Sequence, residues 1–152
     1  MKILFVCQAN VCRSVLAQEL LKKYAPCVYV WSRGLYVTGP TAMPLAVRKY
    51  LISQGLQQAE HTPTQLAPQD MQAADWVFCM EPQQLEQLTD MYAQYTDKIW
   101  LLNEFVYGKE TPVLDPLQFA EKECTKQMDI LQHTLEQCAR KLTSASALLP
   151  EK

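Results

Sequence analysis

The sequence predicts an α/β fold in which a four-stranded parallel sheet carries helices on both faces. Short apolar segments of strand length alternate along the chain with segments whose apolar residues recur at helical spacing. The apolar segments are nearly continuous, which is typical of strands that are buried on both faces. Strands that alternate with helices pair in parallel, and their crossovers are right-handed.

Four segments have the length and composition of buried strands. The first begins almost at the N-terminus, and the second is rich in β-branched and aromatic residues. The four predicted strands cover residues 2–6, 27–31, 76–80 and 99–102.

The segments between the strands have helical periodicity. Ser14 precedes the first helix as an N-cap, and Pro26 ends that helix. Gly55 ends the second helix, and Pro82 suits the first turn of the third. Residues 56–74 are polar, and we expect a loop there with one helical turn. The last helix is predicted from one apolar stripe, which comprises Cys124, Met128, Leu131, Leu135, Cys138 and Leu142.

Length and charge limit the classes of protein. A chain of 152 residues suits one domain, which we expect to span residues 1–152. The formal net charge of −2 argues against a nucleic-acid-binding protein, which would carry a basic stripe. No apolar run approaches the roughly 20 residues that cross a bilayer, and residues 2–6 are too short for a signal peptide. We therefore expect a cytoplasmic protein without nucleic-acid or membrane partners.

The six cysteines lack the paired spacing of a zinc site. Since no export signal precedes them, we expect reduced thiols, some of them buried and inert and at least one reactive. The sequence implies neither a metal nor an organic cofactor.

The loop after the first strand contains the residues best suited to chemistry. It reads Cys7, Gln8, Ala9, Asn10, Val11, Cys12, Arg13 and Ser14. Ligands of parallel sheets bind beyond the carboxyl ends of the strands. Inward-pointing N–H groups and the helix N-terminus would hold a phosphate there, and Arg13 would bind it in bidentate fashion. The same positive field favours a nucleophilic thiolate at Cys7, to which Ser14 could donate a hydrogen bond. We interpret the loop as a phosphate-binding loop for covalent catalysis.

A carboxylic acid must protonate the leaving oxygen, because the thiolate site is already anionic. Asp115 is the best candidate, since it lies between the fourth predicted strand and the last helix, on the ligand-binding side of the sheet. The following Pro116 restricts Asp115 to extended backbone, which helps to direct its side chain. The same carboxylate could then accept a proton from the attacking water.

These motifs together resemble the low-molecular-weight protein tyrosine phosphatases, over nearly the whole chain. The early Val6-Cys7-x-x-Asn10-x-Cys12-Arg13-Ser14 and the late Asp115-Pro116 carry the resemblance. It implies a four-stranded parallel sheet flanked by helices, and cysteine-dependent hydrolysis of phosphotyrosine. The substrate would be a phosphorylated protein or a small phosphomonoester, with inorganic phosphate as product and inhibitor. The thioredoxin-coupled arsenate reductases share this architecture.

The resemblance also assigns supporting residues. Ser32 matches a serine that supports the loop asparagine, and His61 falls where the family often has a histidine that tethers the loop. Cys79-Met80-Glu81 is similar to the family's Cys-Met-Asp stretch. Gln8 lines the outer edge of the loop, within reach of a substrate.

The chain departs from the family pattern at several positions. Ala9 replaces the usual glycine, which is harmless if its φ is negative, and Val15 replaces the usual proline. Leu117 and Gln118 stand where the family often has aromatics that grip a phenyl ring, and Phe119 could compensate only in part. These differences leave the substrate preference open.

Several interpretations remain open from the residues alone. Cys7 could be a buried cysteine at a strand end, and Asp115 a turn aspartate before proline. Cys12 could pack in the core, or form a protective reversible disulfide with Cys7. His61 is either a tether of the loop or a surface residue.

The leading function is hydrolysis of phosphotyrosine, with phosphoarginine as a closer competitor than arsenate. Arsenate reduction needs two further cysteines, and Glu86 stands where the partner of Cys79 is expected. The alternative from another class is a catalytically weak relative that binds phosphorylated partners.

Overall fold

The computed structural model describes residues 1–56 and 61–146. It contains a parallel sheet in the order β2-β1-β3-β4, which confirms the predicted fold class. The strands are β1 (Lys2–Cys7), β2 (Tyr29–Gly34), β3 (Trp76–Cys79) and β4 (Ile99–Leu101). The domain expected to span residues 1–152 ends outside the described residues.

Helices follow or connect the strands in the predicted alternation. They are α1 (Arg13–Tyr24), α2 (Leu45–Ser53), α3 (Pro68–Ala73), α4 (Pro82–Met91), α5 (Leu102–Tyr107) and α6 (Glu121–Ser146). Two 3₁₀ segments, Ala93–Lys98 and Pro116–Gln118, complete the regular structure. The helical turn expected within residues 56–74 is α3, whereas α5 was not predicted.

Strand β2 begins later than the sequence predicts. The N–H of Val28 donates to the carbonyl of Ala25, so residues 27 and 28 belong to the turn after α1. The strand then continues through the polar Ser32 and Arg33, because both pair with β1. Pairing with a central strand therefore overrides the low strand propensity of these residues.

The core has two layers, one on each face of β1. Ile3 and Phe5 contribute to the layer under α1, α2 and α6, whereas Leu4 and Val6 contribute to the layer under α3 and α4. All four side chains are fully buried, which explains why the sequence of β1 is continuously apolar.

Helix α6 packs its apolar stripe against α1, as its periodicity predicts. All six residues of the stripe are buried. None of the helices within the described residues is long and apolar enough to cross a membrane.

Candidate active site

Cys7 ends β1 at its carboxyl edge, and the chain turns through the loop of residues 8–12 into α1. The Cys7 sulfur lies 2.9 Å from the hydroxyl oxygen of Ser14, and both residues are buried. Ser14 lies in the first turn of α1, where its hydroxyl contacts the Cys7 sulfur. The prediction of Ser14 as N-cap is therefore wrong: Cys12 occupies that position, without a side-chain capping bond.

Asn10 fixes the shape of the loop. It is fully buried, and its φ of 58° is the only positive φ of a non-glycine residue in the described part of the chain. Its Nδ2 donates to Ser14 and to Ser32, at 2.9 Å each, and its Oδ1 accepts the N–H of Thr64 at 3.0 Å. Asparagine tolerates the left-handed region better than most residues. Ala9 does not need a positive φ, so its Cβ adds no backbone strain.

His61 contacts the backbone of the loop. Its Nε2 is 2.8 Å from the carbonyl oxygen of Asn10. Because a carbonyl only accepts hydrogen bonds, this nitrogen carries the proton and donates.

Gly34 allows the loop to approach the end of β2. It pairs with Cys7 in the sheet register. A Cβ at this position would lie 2.7 Å from Cγ2 of Val37, and 3.1 Å from both the carbonyl carbon of Ala9 and Cβ of Asn10. The close approach excludes any larger residue unless the loop moves.

Arg13 is buried at the start of α1 and has two partners from distant parts of the chain. Its Nη1 donates to the carboxylate of Glu81, just after β3, and to the carbonyl of Val113 at 3.0 Å. Both bonds use the same nitrogen, so the guanidinium retains further N–H groups for an anion.

Asp115 starts the second 3₁₀ segment, and its Oδ1 accepts the N–H of Leu117 at 3.0 Å. The carboxylate is half-buried and lies close enough to the loop to act on Cys12. Burial, with a contribution from the charge of Asp115, raises the pKa of the Cys12 thiol well above its ordinary value. Burial, followed by the charges of Asp115 and Glu121, also raises the pKa of the Cys124 thiol.

The rim of the site is more aliphatic than aromatic on the Asp115 side. Leu114 and Leu117 are exposed, whereas Phe119 is half-buried and packs against the core. On the other side, Tyr36 is exposed, and its N–H donates to the carbonyl of Gln8 at 2.8 Å. The backbone of an exposed aromatic residue therefore contacts the loop, at a position that the sequence did not reveal.

The structure gathers the predicted site residues around one loop. Residues 7–14 come from the end of β1, the loop and the start of α1, while Ser32 and His61 reach the loop from elsewhere in the chain. Sequence reasoning missed the contact between Arg13 and Glu81, although the resemblance had drawn attention to residues 79–81. It also missed Gln18, which accepts a hydrogen bond from Ser32 at 2.7 Å. The signal for Gln18 was its position four residues after Ser14, on the same face of α1.

The fold and the site define a class of protein: a parallel α/β protein with a thiol, a buried arginine and a helix N-terminus around one anion-binding loop. The model of the family described as low molecular weight phosphotyrosine protein phosphatase matches residues 2–147. The chain therefore belongs to this family of cysteine-dependent phosphatases, which act on phosphorylated proteins.

Individual relatives align along almost their whole lengths. A protein-arginine-phosphatase of Bacillus subtilis (strain 168) is 32% identical over 151 residues, covering 93% of this chain and 97% of the relative. The low molecular weight protein-tyrosine-phosphatase Wzb of Escherichia coli (strain K12) is 27% identical over 147 residues, covering 93% and 95%. Among solved structures, a mutant of YwlE arginine phosphatase with a phosphorylated active site serine is similar with a TM-score of 0.87. It is 28% identical and covers 94% of this chain and 96% of that one.

Proposed function

We propose that this phosphatase works through a cysteinyl-phosphate intermediate in which Cys7 is the nucleophile, Arg13 holds the phosphoryl group and Asp115 transfers the proton. The observation that carries the proposal is the buried Cys7 sulfur, which lies 2.9 Å from Ser14 at the N-terminus of α1, beside the buried Arg13. The phosphorylated active-site serine of the YwlE mutant supports a covalent phosphoenzyme by similarity.

The reaction proceeds in two displacements at phosphorus. The Cys7 thiolate forms the S–P bond while the ester P–O bond breaks, and the carboxylic acid of Asp115 gives its proton to the leaving oxygen. Water then attacks phosphorus, Asp115 accepts a proton from it, and the S–P bond breaks to release inorganic phosphate. The hydroxyl of Ser14 stabilises the sulfur as it regains negative charge.

Phosphotyrosine in proteins is the substrate that the site supports best. A phenyl ring needs apolar walls, and half-buried Val11 and exposed Leu117 provide aliphatic ones. The exposed Tyr36, whose backbone N–H donates to the carbonyl of Gln8, is the aromatic residue that we propose as a further wall. A phosphorylated guanidinium brings N–H groups that lose water when buried, and the side chains of Val11 and Leu117 have no atoms that could accept hydrogen bonds from them.

Phosphoarginine is the second candidate, because no aromatic residue follows Asp115-Pro116 directly. The similarity to protein-arginine-phosphatases supports it as well. A reductase relay through Cys79 is not supported, since burial raises the pKa of that thiol to about 12 and its sulfur donates to a strand carbonyl. We place the enzyme in the cytoplasm, where a thiol nucleophile stays reduced. Inorganic phosphate is its product and is expected to inhibit it.

The test is turnover of p-nitrophenyl phosphate in the presence of EDTA and a reductant, from about pH 5 to about pH 8. Cys7→Ser should abolish turnover, whereas Cys27→Ser, which changes an exposed cysteine, should not affect it. Asp115→Asn should lower kcat by about 10²- to 10⁴-fold, and Asp90→Asn on the exposed face of α4 serves as its control. Full activity of Cys7→Ser would refute the mechanism.

Peptides that differ only in carrying phosphotyrosine or phosphoarginine then decide the substrate. A kcat/KM that favours phosphotyrosine, and that falls in Tyr36→Ala for this substrate alone, supports the first candidate. A preference for phosphoarginine establishes the second. Binding of vanadate without hydrolysis of any substrate would leave a phospho-binding protein.

A further inference from the structure

A chain of side-chain hydrogen bonds leads from the Cys7 sulfur to the surface of α1. Ser14 contacts the sulfur, and Asn10 donates to Ser14 and to Ser32, each at 2.9 Å. The hydroxyl of Ser32 then reaches Oε1 of Gln18 at 2.7 Å. Asn10, Ser14 and Ser32 are buried, and Gln18 is half-buried.

The direction of every bond in this chain follows from the capacity of each group. The Oδ1 atom of Asn10 accepts the N–H of Thr64, so the amide nitrogen of Asn10 faces both serines and donates to each. Each serine has a single proton. Ser32 gives its proton to Gln18. Ser14 accepts from Asn10 and therefore keeps its own proton for the Cys7 sulfur.

The orientation of Gln18 is set by the residue beside it. Its Nε2 donates to the carboxylate of Glu19 at 2.7 Å, and Lys22 donates to the same carboxylate at 3.2 Å. A carboxylate only accepts, so the amide nitrogen of Gln18 must face Glu19 and its oxygen must face Ser32. The outer end of the chain is thus fixed in one direction.

We propose that Gln18 is a positioning residue of the phosphatase reaction. Its amide oxygen accepts the proton of Ser32 and, through Asn10, leaves the proton of Ser14 directed at the sulfur of Cys7. Without this acceptor the buried hydroxyl of Ser32 would still accept from the nitrogen of Asn10, but its own proton would have no acceptor. If the hydroxyl of Ser32 or the amide of Asn10 rotated in response, the hydrogen bond between Asn10 and Ser14 would break. The hydroxyl proton of Ser14 would then no longer be held toward the Cys7 sulfur.

The proposal is tested by replacing Gln18 with leucine, which has similar size but no acceptor, and with glutamate, which keeps an acceptor. Two pH profiles are measured: kcat/KM with p-nitrophenyl phosphate, and the rate of Cys7 alkylation by iodoacetate. Gln18→Leu should shift the rise of both profiles to higher pH and lower kcat by about tenfold. A loss of this size corresponds to a part of the free energy of one hydrogen bond to a charged group. Gln18→Glu should restore most of the wild-type pH dependence in both profiles and most of kcat. Lys23→Gln, on the exposed side of α1, should match the wild type.

Gln18→Glu adds a carboxylate beside Glu19, whereas in Gln18→Leu the charged and titratable groups around the loop, Cys12, Arg13, Glu81, Asp115 and His61, are the same as in the wild type. A shift therefore reports the hydrogen-bond chain. Wild-type profiles in Gln18→Leu, even with lowered thermal stability, would overturn the proposal, and so would equal losses in the leucine and glutamate variants. The alkylation profile needs no turnover, so it tests Gln18 even if the proposed roles in hydrolysis fail.

Discussion

Glu81 holds Arg13, for which we propose the role of binding the phosphoryl group, and removing the charge of Glu81 should therefore weaken catalysis without removing any proposed substrate contact. Arg13 is buried, whereas 32% of the Glu81 side chain is exposed. Solvent therefore screens the pair in part, and the range for fully buried pairs does not apply. A hydrogen bond to a charged group is worth about 1.5–3 kcal/mol, roughly twice a neutral one.

These values give an order of effects. Glu81→Gln keeps an oxygen acceptor and loses only the charge, about 1 kcal/mol, so kcat/KM should fall about fivefold. Glu81→Ala loses the whole bond, about 2 kcal/mol, and kcat/KM should fall about 30-fold. The hydrogen bond from Arg13 to the Val113 carbonyl remains in both variants and still holds the guanidinium near its native position. Glu81→Asp keeps the charge but has a side chain shorter by one methylene, so its kcat/KM should lie between those of the wild type and Glu81→Gln.

The assay compares kcat/KM for p-nitrophenyl phosphate with the inhibition constant for inorganic phosphate. Both should worsen together if Arg13 binds the phosphoryl group in substrate and product alike, as proposed. Glu86→Gln makes the same charge change on the exposed face of α4 and is the control. Unchanged phosphate inhibition in Glu81→Ala would refute the argument, because it would mean that Arg13 needs no second partner.

Three further predictions follow from packing and protonation. Gly34→Ala should lower the free energy of unfolding in urea by about 1–3 kcal/mol and lower kcat/KM, because the added Cβ would approach the loop too closely. Unchanged kcat/KM would show that the loop can move away without loss of activity. Burial raises the pKa of Cys79 from 9.0 to about 12, so the folded state holds this proton more tightly than the unfolded state. The free energy of unfolding should therefore be unaffected by this thiol below about pH 9 and fall above it, and the fall should be less steep in Cys79→Ala. At neutral pH, iodoacetamide should label the exposed Cys27 but not the buried Cys79 in the folded protein. Tyr50→Phe removes the hydrogen bond to Asp129 at 2.8 Å and should lower the free energy of unfolding by about 1 kcal/mol while kcat/KM stays unchanged.

The sequence predicts the sheet and its helices well because both depend on local periodicity. The stripe of α6 and the apolar β1 are examples, since each is visible within one segment. Helix α5 was missed because Leu102 reads as the end of a strand, and its helical turn depends on packing after β4. Strand β2 was displaced for a similar reason, as pairing with β1 decides where it ends.

The site is predicted less completely, because its contacts join residues far apart in the chain. The loop shows a thiol, an arginine and a serine at once, so a phosphate site could be predicted. Nothing local indicates that Glu81 meets Arg13, or that the left-handed residue is Asn10 and not Ala9. Those facts follow only from the strand order, which brings the ends of β1, β2 and β3 together.

The long-range anchoring of the loop also bears on folding. The bonds that hold Asn10 and Arg13 span 22, 51, 54, 68 and 100 residues. Each closes only after a large part of the chain is in place, and contacts of such separation form slowly. During refolding, helical circular dichroism should therefore return before phosphatase turnover does. Enzymatic activity would then report completion of the whole sheet, and a partly folded chain would not yet present an assembled loop around Cys7.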